Sequence, residues 1–313
     1  MVNSSKNVII KDSTLREGLD TPNVNFSLEQ KLKIVKLLAK ANVPEIEVVA
    51  PSRVLKDLEF VKRLKEEELK LKTSGLIYSY SPRCREEIEE GSRYLNRFDL
   101  LMPVSIKRKP HDRGTKISLL LDALAYSLRY GSDVGVGFPH STQTEFEFLL
   151  EIGSEAVKSG AKRVIIYDTN GSSDPIAVYD LIKRLKENLD VTLFFHGHND
   201  LGLATANSLA AVFAGADGLD VTINGLGDRA GNASLEQVVL GLHIKGFNTG
   251  VILEDLRRLS KAVEEESGVE VSKLAPVVGE YIFSHKSPSH LENPELFEAF
   301  DPQIVDSSRK VCE

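Results

Sequence analysis

The fold is decided by residues 134–198, VGVGFPHSTQTEFEFLLEIGSEAVKSGAKRVIIYDTNGSSDPIAVYDLIKRLKENLDVTLFFHGH. Within this stretch, three short runs rich in Val, Ile and Phe (134–138, 163–168 and 192–198) are separated by two longer amphipathic segments. Strand-like runs that alternate with helical segments are typical of successive β/α units around a parallel sheet. The runs are almost continuously apolar, as expected for strands that are covered on both faces.

The same alternation continues in both directions from this stretch. Eight strands are predicted, at 7–13, 45–50, 71–77, 98–104, 134–138, 163–168, 192–198 and 219–224. Helices are predicted between and after them, at 28–41, 55–65, 85–95, 116–130, 143–159, 175–189, 204–214 and 235–244. Eight strands, each followed by a helix, predict an α/β fold of the closed (β/α)8 or TIM barrel type. An open doubly wound sheet is the alternative, and the lack of a GxGxxG motif in the first strand–helix turn disfavours it.

The pattern changes after Phe247, where an Asp-, Glu- and Arg-rich helix at 253–265 is followed by an irregular tail. We therefore predict a catalytic barrel over residues 1–247 and a small helical extension over residues 248–313. The extension is expected to contribute to the active site or to a dimer.

Composition and charge exclude several classes of function. The 313 residues are 42% hydrophobic and 27% charged, as in ordinary globular proteins. Acidic and basic residues are interleaved around a net charge of -7, so the chain lacks the dense positive field that nucleic acid or anionic lipid requires. A small-molecule substrate is expected, with no nucleic-acid and no membrane partner. Cys84 and Cys312 form no CxxC pair and follow no secretory segment, which predicts a cytoplasmic location.

Polar residues at the ends of the predicted strands are the candidates for chemistry, because barrel enzymes react at that face. His196 and His198 lie two apart on a strand, so both imidazoles project to one face, as metal ligands do. Two polar side chains satisfied at a strand end are the alternative. A divalent ion usually takes a carboxylate as well, and strand one offers Asp12 or Glu17, with Arg16 beside them. A solvated surface pair is the alternative for Arg16 and Glu17.

Three motifs taken together resemble a known family. The segments DSTLREG at 12–18, HGHND at 196–200 and NGLGDRAGN at 224–232 resemble the DRE-TIM metallolyase superfamily. The third segment is similar to the Claisen-condensing branch, the homocitrate, isopropylmalate and citramalate synthases. This resemblance implies a divalent metal, a catalytic arginine beside the reacting oxygen, and a threonine that binds the carboxylate of a 2-oxo acid. The residues implied are Glu17, His196, His198 and Asn232 as metal ligands, Arg16 as the arginine and Thr169 as the threonine.

The donor types have a chemical logic of their own. Mixed nitrogen and oxygen ligands together with two substrate oxygens favour Mg, Mn or an expanded Zn site over a closed structural zinc. Such a metal polarises the keto carbon of a 2-oxo acid, while Arg16 can stabilise the oxyanion or enolate oxygen that develops.

The chain also departs from the synthase pattern. The first motif continues as Gly18-Leu19-Asp20 where synthases resemble Gly-Glu-Gln, and Leu19 is closer to the lyase branch. Strand five ends in residues 137–140, GFPH, without the glutamate that synthases place there. In the tail, His290 resembles the histidine that synthases use for proton transfer, usually delivered by the partner subunit, but Phe297 replaces the tyrosine that assists it. His140 is the candidate replacement for the missing groups, and a structural role in the tail is the alternative for His290.

Two basic features complete the set of candidates. The segment KRKPHDR at 107–113 follows strand four, and its Arg108 is a candidate for binding a second carboxylate or a phosphate-bearing cofactor; a solvated loop is the alternative. Arg229 is expected to pair with Asp228 or a neighbouring acid and to hold the loop after strand eight.

Three functions follow from these patterns. The leading hypothesis is a Claisen-type synthase that condenses acetyl-CoA with a 2-oxo acid in a homodimer. The first alternative is a metal-dependent aldolase or lyase, favoured by Leu19 and by the missing glutamate of strand five. The second alternative is a non-catalytic barrel that binds a metabolite, which Arg16 and the four implied ligands disfavour.

Overall fold

The structure is a computed structural model that describes residues 6–50, 56–105, 107–109, 112–131 and 133–311. Some sequence predictions fall outside these ranges. They concern Leu55, the first residue of a predicted helix, Pro110 and His111 of the basic segment, and Cys312.

Eight parallel strands close into a barrel in sequence order, and the first strand pairs with the last. The predicted TIM barrel is confirmed. The strands are β1 (Ile9–Asp12), β2 (Glu45–Val49), β3 (Lys72–Tyr78), β4 (Arg97–Leu101), β5 (Asp133–Phe138), β6 (Arg163–Asp168), β7 (Thr192–Gly197) and β8 (Gly218–Val221).

A helix follows each strand and packs on the outside of the barrel. These helices are α1 (Leu28–Lys40), α2 (Leu58–Glu66), α3 (Cys84–Gly91), α4 (Arg113–Leu128), α5 (Phe146–Lys158), α6 (Pro175–Asn188), α7 (Ala204–Phe213) and α8 (Leu235–Ile244). The main hydrophobic core lies between the sheet and this ring of helices. None of the helices in the described ranges combines the length and the apolar character needed to cross a bilayer.

Local sequence signals explain where several helices begin. Ser27 accepts a hydrogen bond from the backbone of Gln30, and the Gln30 side chain accepts one from the backbone of Ser27, so α1 starts with a complete capping box. Asp174 caps the first turn of α6, where Pro175 takes the first helical position at no hydrogen-bonding cost. These helix starts fix the loops that lead into them from the strand ends.

The inside of the barrel carries charge as well as apolar side chains. Arg163 donates two hydrogen bonds to Glu45, at 2.6 and 2.8 Å, and this pair is almost completely buried. A smaller apolar cluster of Leu76, Leu101, Ile165, Tyr167 and Phe194 fills the space nearer the mouth. A second group of charged residues, all completely buried, joins the strands across the interior: Lys11, Glu47, Asp99 and Asp220.

The chain continues beyond the barrel as a helix and a tail. The helix α9 (Leu256–Ser267) packs against α1 and α8. In the tail, the short strands β9 (Ser284–His285) and β10 (Lys310–Val311) pair in parallel on either side of the short helix α10 (Pro288–Glu292). Glu298 joins the two halves of the tail, because it lies 3.0 Å from His285 Nε2 and accepts hydrogen bonds from Arg309.

Candidate metal centre and active site

A cavity of about 220 Å³ opens at the C-terminal ends of the barrel strands. One side is rich in charged groups and imidazoles, and the other is lined by tyrosine, leucine and proline. Its lining residues include Arg16, Glu17, Tyr78, Tyr80, Leu101, Arg108, His140, Tyr167, Thr169, His196, His198 and Arg229. The mixed polar and apolar lining suits a small acid that carries an organic substituent.

Three buried side chains at the bottom of this cavity form a cluster that could hold a metal ion. Glu17 Oε1 lies 3.6 Å from His198 Nε2, and Glu17 Oε2 lies 3.9 Å from His196 Nε2. The two histidines project from one face at the end of β7, and Glu17 reaches them from a 3-10 turn after β1. The carboxylate near the histidines is therefore Glu17. Asp12 instead accepts hydrogen bonds from the backbone and side chain of Thr14.

Electrostatics keep both imidazoles neutral, as metal ligation requires. Burial, together with neighbouring His196, Arg229 and Arg16, lowers the pKa of His198 to about 3. Burial also lowers the pKa of His196 well below its ordinary value, with Arg16 adding to the effect. Asp220 Oδ2 lies 3.2 Å from His196 Nδ1, so a proton on Nδ1 leaves the lone pair of Nε2 facing Glu17.

Asn232 lies at the edge of the cluster. A bridge between the backbones of His198 and Asn232 ties the loop after β8 to the end of β7. Asn232 Nδ2 lies 3.1 Å from His196 Nε2, while its Oδ1 has no hydrogen-bond partner among the described residues. A 180° rotation of the Asn232 side-chain amide would place Oδ1, in place of Nδ2, next to the cluster of Glu17, His196 and His198. The four side chains offer the donor set of a divalent cation, two nitrogens and two oxygens.

Arg16 is held by two carboxylates, and one of its three nitrogen atoms has no partner among the described residues. Its Nε donates to Glu47 Oε2 at 2.5 Å, and its Nη1 contacts Glu17. Its buried Nη2 has no acceptor within the part of the chain that the structure describes. Arg16 also lines the cavity, so its unpartnered Nη2 is the donor that an oxygen of a bound molecule could satisfy.

The opposite wall contains three further candidates from the sequence, Thr169, His140 and Arg108. The Thr169 hydroxyl accepts a 2.7 Å hydrogen bond from the backbone N–H of His140, so its own hydrogen remains free to be donated. His140 has a left-handed backbone (φ 68°), and burial, together with the nearby Arg108, lowers its pKa. In the described ranges no carboxylate pairs with Arg108, which distinguishes it from Arg16.

The sequence matches the family model described as HMGL-like over residues 7–263. The chain belongs to this family. The predicted resemblance to the DRE-TIM superfamily is thereby confirmed.

Named relatives of this HMGL-like chain are synthases. It is 35% identical to 2-isopropylmalate synthase of Sulfolobus acidocaldarius, over 99% of this chain and 82% of that protein. It is 36% identical to homocitrate synthase AksA of Methanopyrus kandleri, over 97% of this chain and 78% of that protein. The match to 2-isopropylmalate synthase of Pyrococcus furiosus, at 34% identity, covers 96% of this chain but only 63% of the relative.

Solved structures share the fold at lower sequence identity. The hydroxymethylglutaryl-CoA (HMG-CoA) lyase of Bacillus subtilis superposes with a TM-score of 0.73 at 21% identity, over 84% of this chain and 94% of that one. The carboxyl transferase domain of Rhizobium etli pyruvate carboxylase gives a TM-score of 0.70 at 19% identity, over 87% of this chain and 50% of that one. These likenesses establish the barrel fold.

One of the site residues predicted from the sequence lies apart from the others. His290 lies in α10, where its ring stacks on Phe297 with centroids 3.7 Å apart, and it is not among the residues that line the cavity. A single chain therefore brings together Arg16, Glu17 and the strand-end residues but not His290.

Arg229 stabilises the loops at the opening of the cavity, as the sequence predicts. It donates hydrogen bonds to Asp228 at 2.6 Å, to Asp200 at 2.7 and 3.0 Å, and to the carbonyl oxygen of Thr169 at 2.8 Å. These contacts join the loops after β6, β7 and β8 into one rim. The expected pairing of Arg229 with Asp228 is confirmed.

The acids that support the site and the tyrosines that line it are not among the residues predicted from the sequence. Glu47 and Asp220 point into the barrel and contact Arg16 and His196, respectively. Tyr167 lines the cavity, and its hydroxyl is buried without a hydrogen-bond partner among the described residues. Their place in the strand is a signal for these acids, because inward-facing and outward-facing residues alternate along a barrel strand. Glu45 and Glu47 lie two residues apart on β2 and therefore both face the barrel interior.

Proposed function

We propose that this protein catalyses a Claisen-type condensation of acetyl-CoA with a 2-oxo acid, in the manner of an isopropylmalate, homocitrate or citramalate synthase. The observation that carries the proposal is the cluster of Glu17, His196 and His198 with the unpartnered Nη2 of Arg16 beside it. The names of the relatives at 34 to 36% identity support the same class of reaction.

In this proposal Glu17, His196, His198 and Asn232 hold a divalent cation, Mg, Mn or Zn. When bound, the cation supplies Lewis-acid polarisation of the 2-oxo group. Arg16 donates from Nη2 to the keto oxygen as negative charge develops on it.

The opposite wall orients the substrate. The Thr169 hydroxyl donates its free hydrogen to the carboxylate of the 2-oxo acid. Arg108, which has no ion-pair partner in the described ranges, binds a second carboxylate or a phosphate of the acyl-CoA. The backbone hydrogen bond from His140 to Thr169 keeps the hydroxyl in one orientation.

Proton transfer is assigned to the tail. A base removes a proton from the acetyl methyl group, the resulting carbanion bonds to the keto carbon, and the keto oxygen takes up the proton held by the base and becomes a hydroxyl group. Water then cleaves the thioester and releases the CoA thiol. His290 is proposed as the base, delivered into this cavity by the partner subunit of a homodimer, which would give the extension over 248–313 its role.

A second candidate function is a metal-dependent aldolase or lyase that cleaves a carbon–carbon bond in a 2-oxo or 3-hydroxy acid. The observation that favours it is the end of strand five, where His140 lies in the cavity with a lowered pKa and is therefore neutral at pH 7. A neutral imidazole at this place can accept the proton of a substrate hydroxyl.

The test is a thiol-release assay with acetyl-CoA and a panel of 2-oxo acids that differ in substituent and in the number of carboxylates. Thiol release with one of them supports the condensation, and preference for a dicarboxylate supports the role of Arg108. Absence of thiol release across the panel, together with cleavage of a 4-hydroxy-2-oxo acid, contradicts the condensation and favours the lyase.

Acetyl-CoA with a deuterated methyl group separates the two candidate bases. With a non-reacting 2-oxo acid analogue bound, the condensation predicts loss of deuterium to solvent, because the methyl group is deprotonated and reprotonated. The exchange should disappear in His290→Ala and persist in His140→Ala. Exchange that depends on His140 alone would contradict the role of the tail.

A further inference from the structure

A buried lysine on the first strand of the barrel lies beneath the candidate site. Lys11 donates hydrogen bonds from Nζ to Glu47 Oε1 at 2.8 Å and to Asp99 Oδ2 at 3.1 Å. The same Nζ lies 3.3 Å from Asp220 Oδ1, and all four side chains are completely buried. One cation therefore faces three carboxylates that come from three other strands.

Two of these carboxylates use their second oxygen for the site. Glu47 Oε2 accepts the 2.5 Å hydrogen bond from Arg16 Nε, and Asp220 Oδ2 lies 3.2 Å from His196 Nδ1. Lys11 is thus separated from Arg16 by one carboxylate and from His196 by another.

Lys11 remains charged in this position. Burial disfavours the ammonium form, but Asp220, Asp99 and Glu47 together raise the pKa of Lys11 well above its ordinary value. The ammonium group donates hydrogen bonds to Glu47 and Asp99, and Asp220 Oδ1 lies 3.3 Å away as an ion-pair partner that accepts no hydrogen bond from it. Uncompensated charges are costly in the interior, so these acids have a strong preference for the orientation that faces Lys11.

We propose that Lys11 is a positioning residue that couples Arg16 to His196 through the carboxylates of Glu47 and Asp220. This role rests on the proposed function, in which Arg16 contacts the substrate and His196 holds the cation. Without the shared ammonium group, the two acids repel one another and turn, and each withdraws the oxygen that orients its partner in the site.

A purely structural role for Lys11 would be to neutralise buried charge so that the barrel can close. Asp99 distinguishes the two roles, because it bonds to Lys11 but contacts neither Arg16 nor His196. The double variant Lys11→Met/Asp99→Asn removes one cation and one anion, so the net charge of the interior is unchanged. Asp99→Asn alone is the matched control, since it keeps the ammonium group between Glu47 and Asp220.

The experiment measures Mn²⁺ binding to the purified metal-free chain by the loss of the free-ion electron paramagnetic resonance signal. The double variant should bind Mn²⁺ about 10 to 100-fold more weakly than the natural protein, as is usual when the partner of a ligating histidine is disturbed. Asp99→Asn should stay within about threefold of the natural protein. At saturating Mn²⁺ the double variant should also lose kcat, because Arg16 is misplaced as well.

Equal Mn²⁺ affinity in the folded double variant and in Asp99→Asn would overturn the proposal and leave Lys11 as a neutralising charge. If the double variant does not fold, Lys11→Gln/Asp99→Asn, which keeps an N–H donor, is measured in its place with the same expectation. If neither double variant folds, the role of Lys11 is to stabilise the fold, and this outcome also overturns the proposal. Mn²⁺ binding without thiol release overturns only the condensation, whereas a natural protein that binds no Mn²⁺ overturns both.

Discussion

Arg16 and Glu17 are adjacent in the sequence and their side chains are in contact, yet the two groups have different roles in the proposed site. The Glu17 carboxylate faces the two imidazoles at 3.6 and 3.9 Å, where a cation would be bound. Arg16 lines the cavity, and its buried Nη2 has no partner among the described residues. The two residues should therefore fail in different ways when they are changed.

Arg16→Lys should lower kcat by about tenfold to a thousandfold while Mn²⁺ affinity changes little, because lysine lacks the planar fork that serves Glu47 and the substrate together. Glu17→Gln should lose Mn²⁺ affinity first, since it removes the charged ligand. Steady-state kinetics and Mn²⁺ titration measure the two effects. Arg83→Lys, on the exposed start of α3, is the control with no expected change. Parallel losses in both variants would refute this division of roles.

His196→Ala and His198→Ala should abolish metal binding and turnover but leave the barrel folded, because both residues lie at the C-terminal end of β7, at the bottom of the cavity, and outside the hydrophobic core. Metal content after dialysis and circular dichroism are the measurements. His243→Ala, on the exposed face of α8, serves as the control for loss of a histidine. Unchanged metal content in the double variant would contradict the assignment of these histidines as metal ligands.

At the scale of elements, sequence periodicity predicts most of the barrel but not its turns. β6 and α8 begin and end where the sequence predicts. Strand eight was predicted to reach residue 224, but β8 ends at Val221, because Asn224 and Gly225 adopt left-handed backbones in a 3-10 turn. That turn is set by its contacts with Ser234 and Glu236, which a local pattern of apolar residues cannot reveal.

The candidate metal ligands can be predicted from the sequence, whereas the buried acids that support them cannot be predicted from local patterns. The motifs that carry Glu17, His196 and His198 converge on one cavity, so ligand chemistry can be read from residue types at strand ends. The acids Glu47 and Asp220 were not recognised, since a strand that alternates apolar and charged residues suggests a sheet with one face exposed to water until the inward face of the barrel is known. Only closure of the barrel turns that polar face inward.

β5 makes an element-scale prediction through Gly137. A Cβ at this position would lie 2.7 Å from Leu101 Cδ2 and 2.9 Å from Tyr167 Cε2, on the two neighbouring strands. Gly137→Ala should therefore lower the free energy of unfolding by about 1 to 3 kcal/mol and displace the cavity wall. Gly114→Ala, in the first turn of α4 with its nearest neighbour at 3.7 Å, is the matched control. Urea denaturation compares them, and equal stability of the two variants would contradict the packing described.

At the scale of the whole molecule, the position of His290 makes the proposed activity depend on assembly. Its ring stacks on Phe297 in the tail, outside the residues that line the cavity of its own chain. Several residues of this tail region expose large apolar side chains: Leu274, Tyr281, Leu291, Leu296 and Phe297. Delivery of His290 to the cavity of a second copy would account both for its distance from its own cavity and for the exposed apolar side chains of the tail.

Mixing two inactive variants tests that delivery. His198→Ala and His290→Ala should each be nearly inactive alone, whereas unfolding and refolding them together in equal amounts should restore about a quarter of the natural activity. Half of the dimers would be hybrids, and one of the two sites in each hybrid would have both natural residues. A mixture as inactive as its components, in a confirmed dimer, would place His290 in the cavity of its own chain or outside the reaction.

The seam between β1 and β8, where Ile9 to Asp12 lie in register with Gly218 to Val221, has a consequence for the order of folding. Strand β1 is synthesised first but must wait for β8 to gain its second neighbour, and bringing such distant segments together is slow. Glu17 lies just after one side of this seam, and the two histidines lie before the other. In the proposed site, a chain that lacks β8 and Asn232 cannot assemble all four candidate ligands, so binding of a cation would report closure of the barrel.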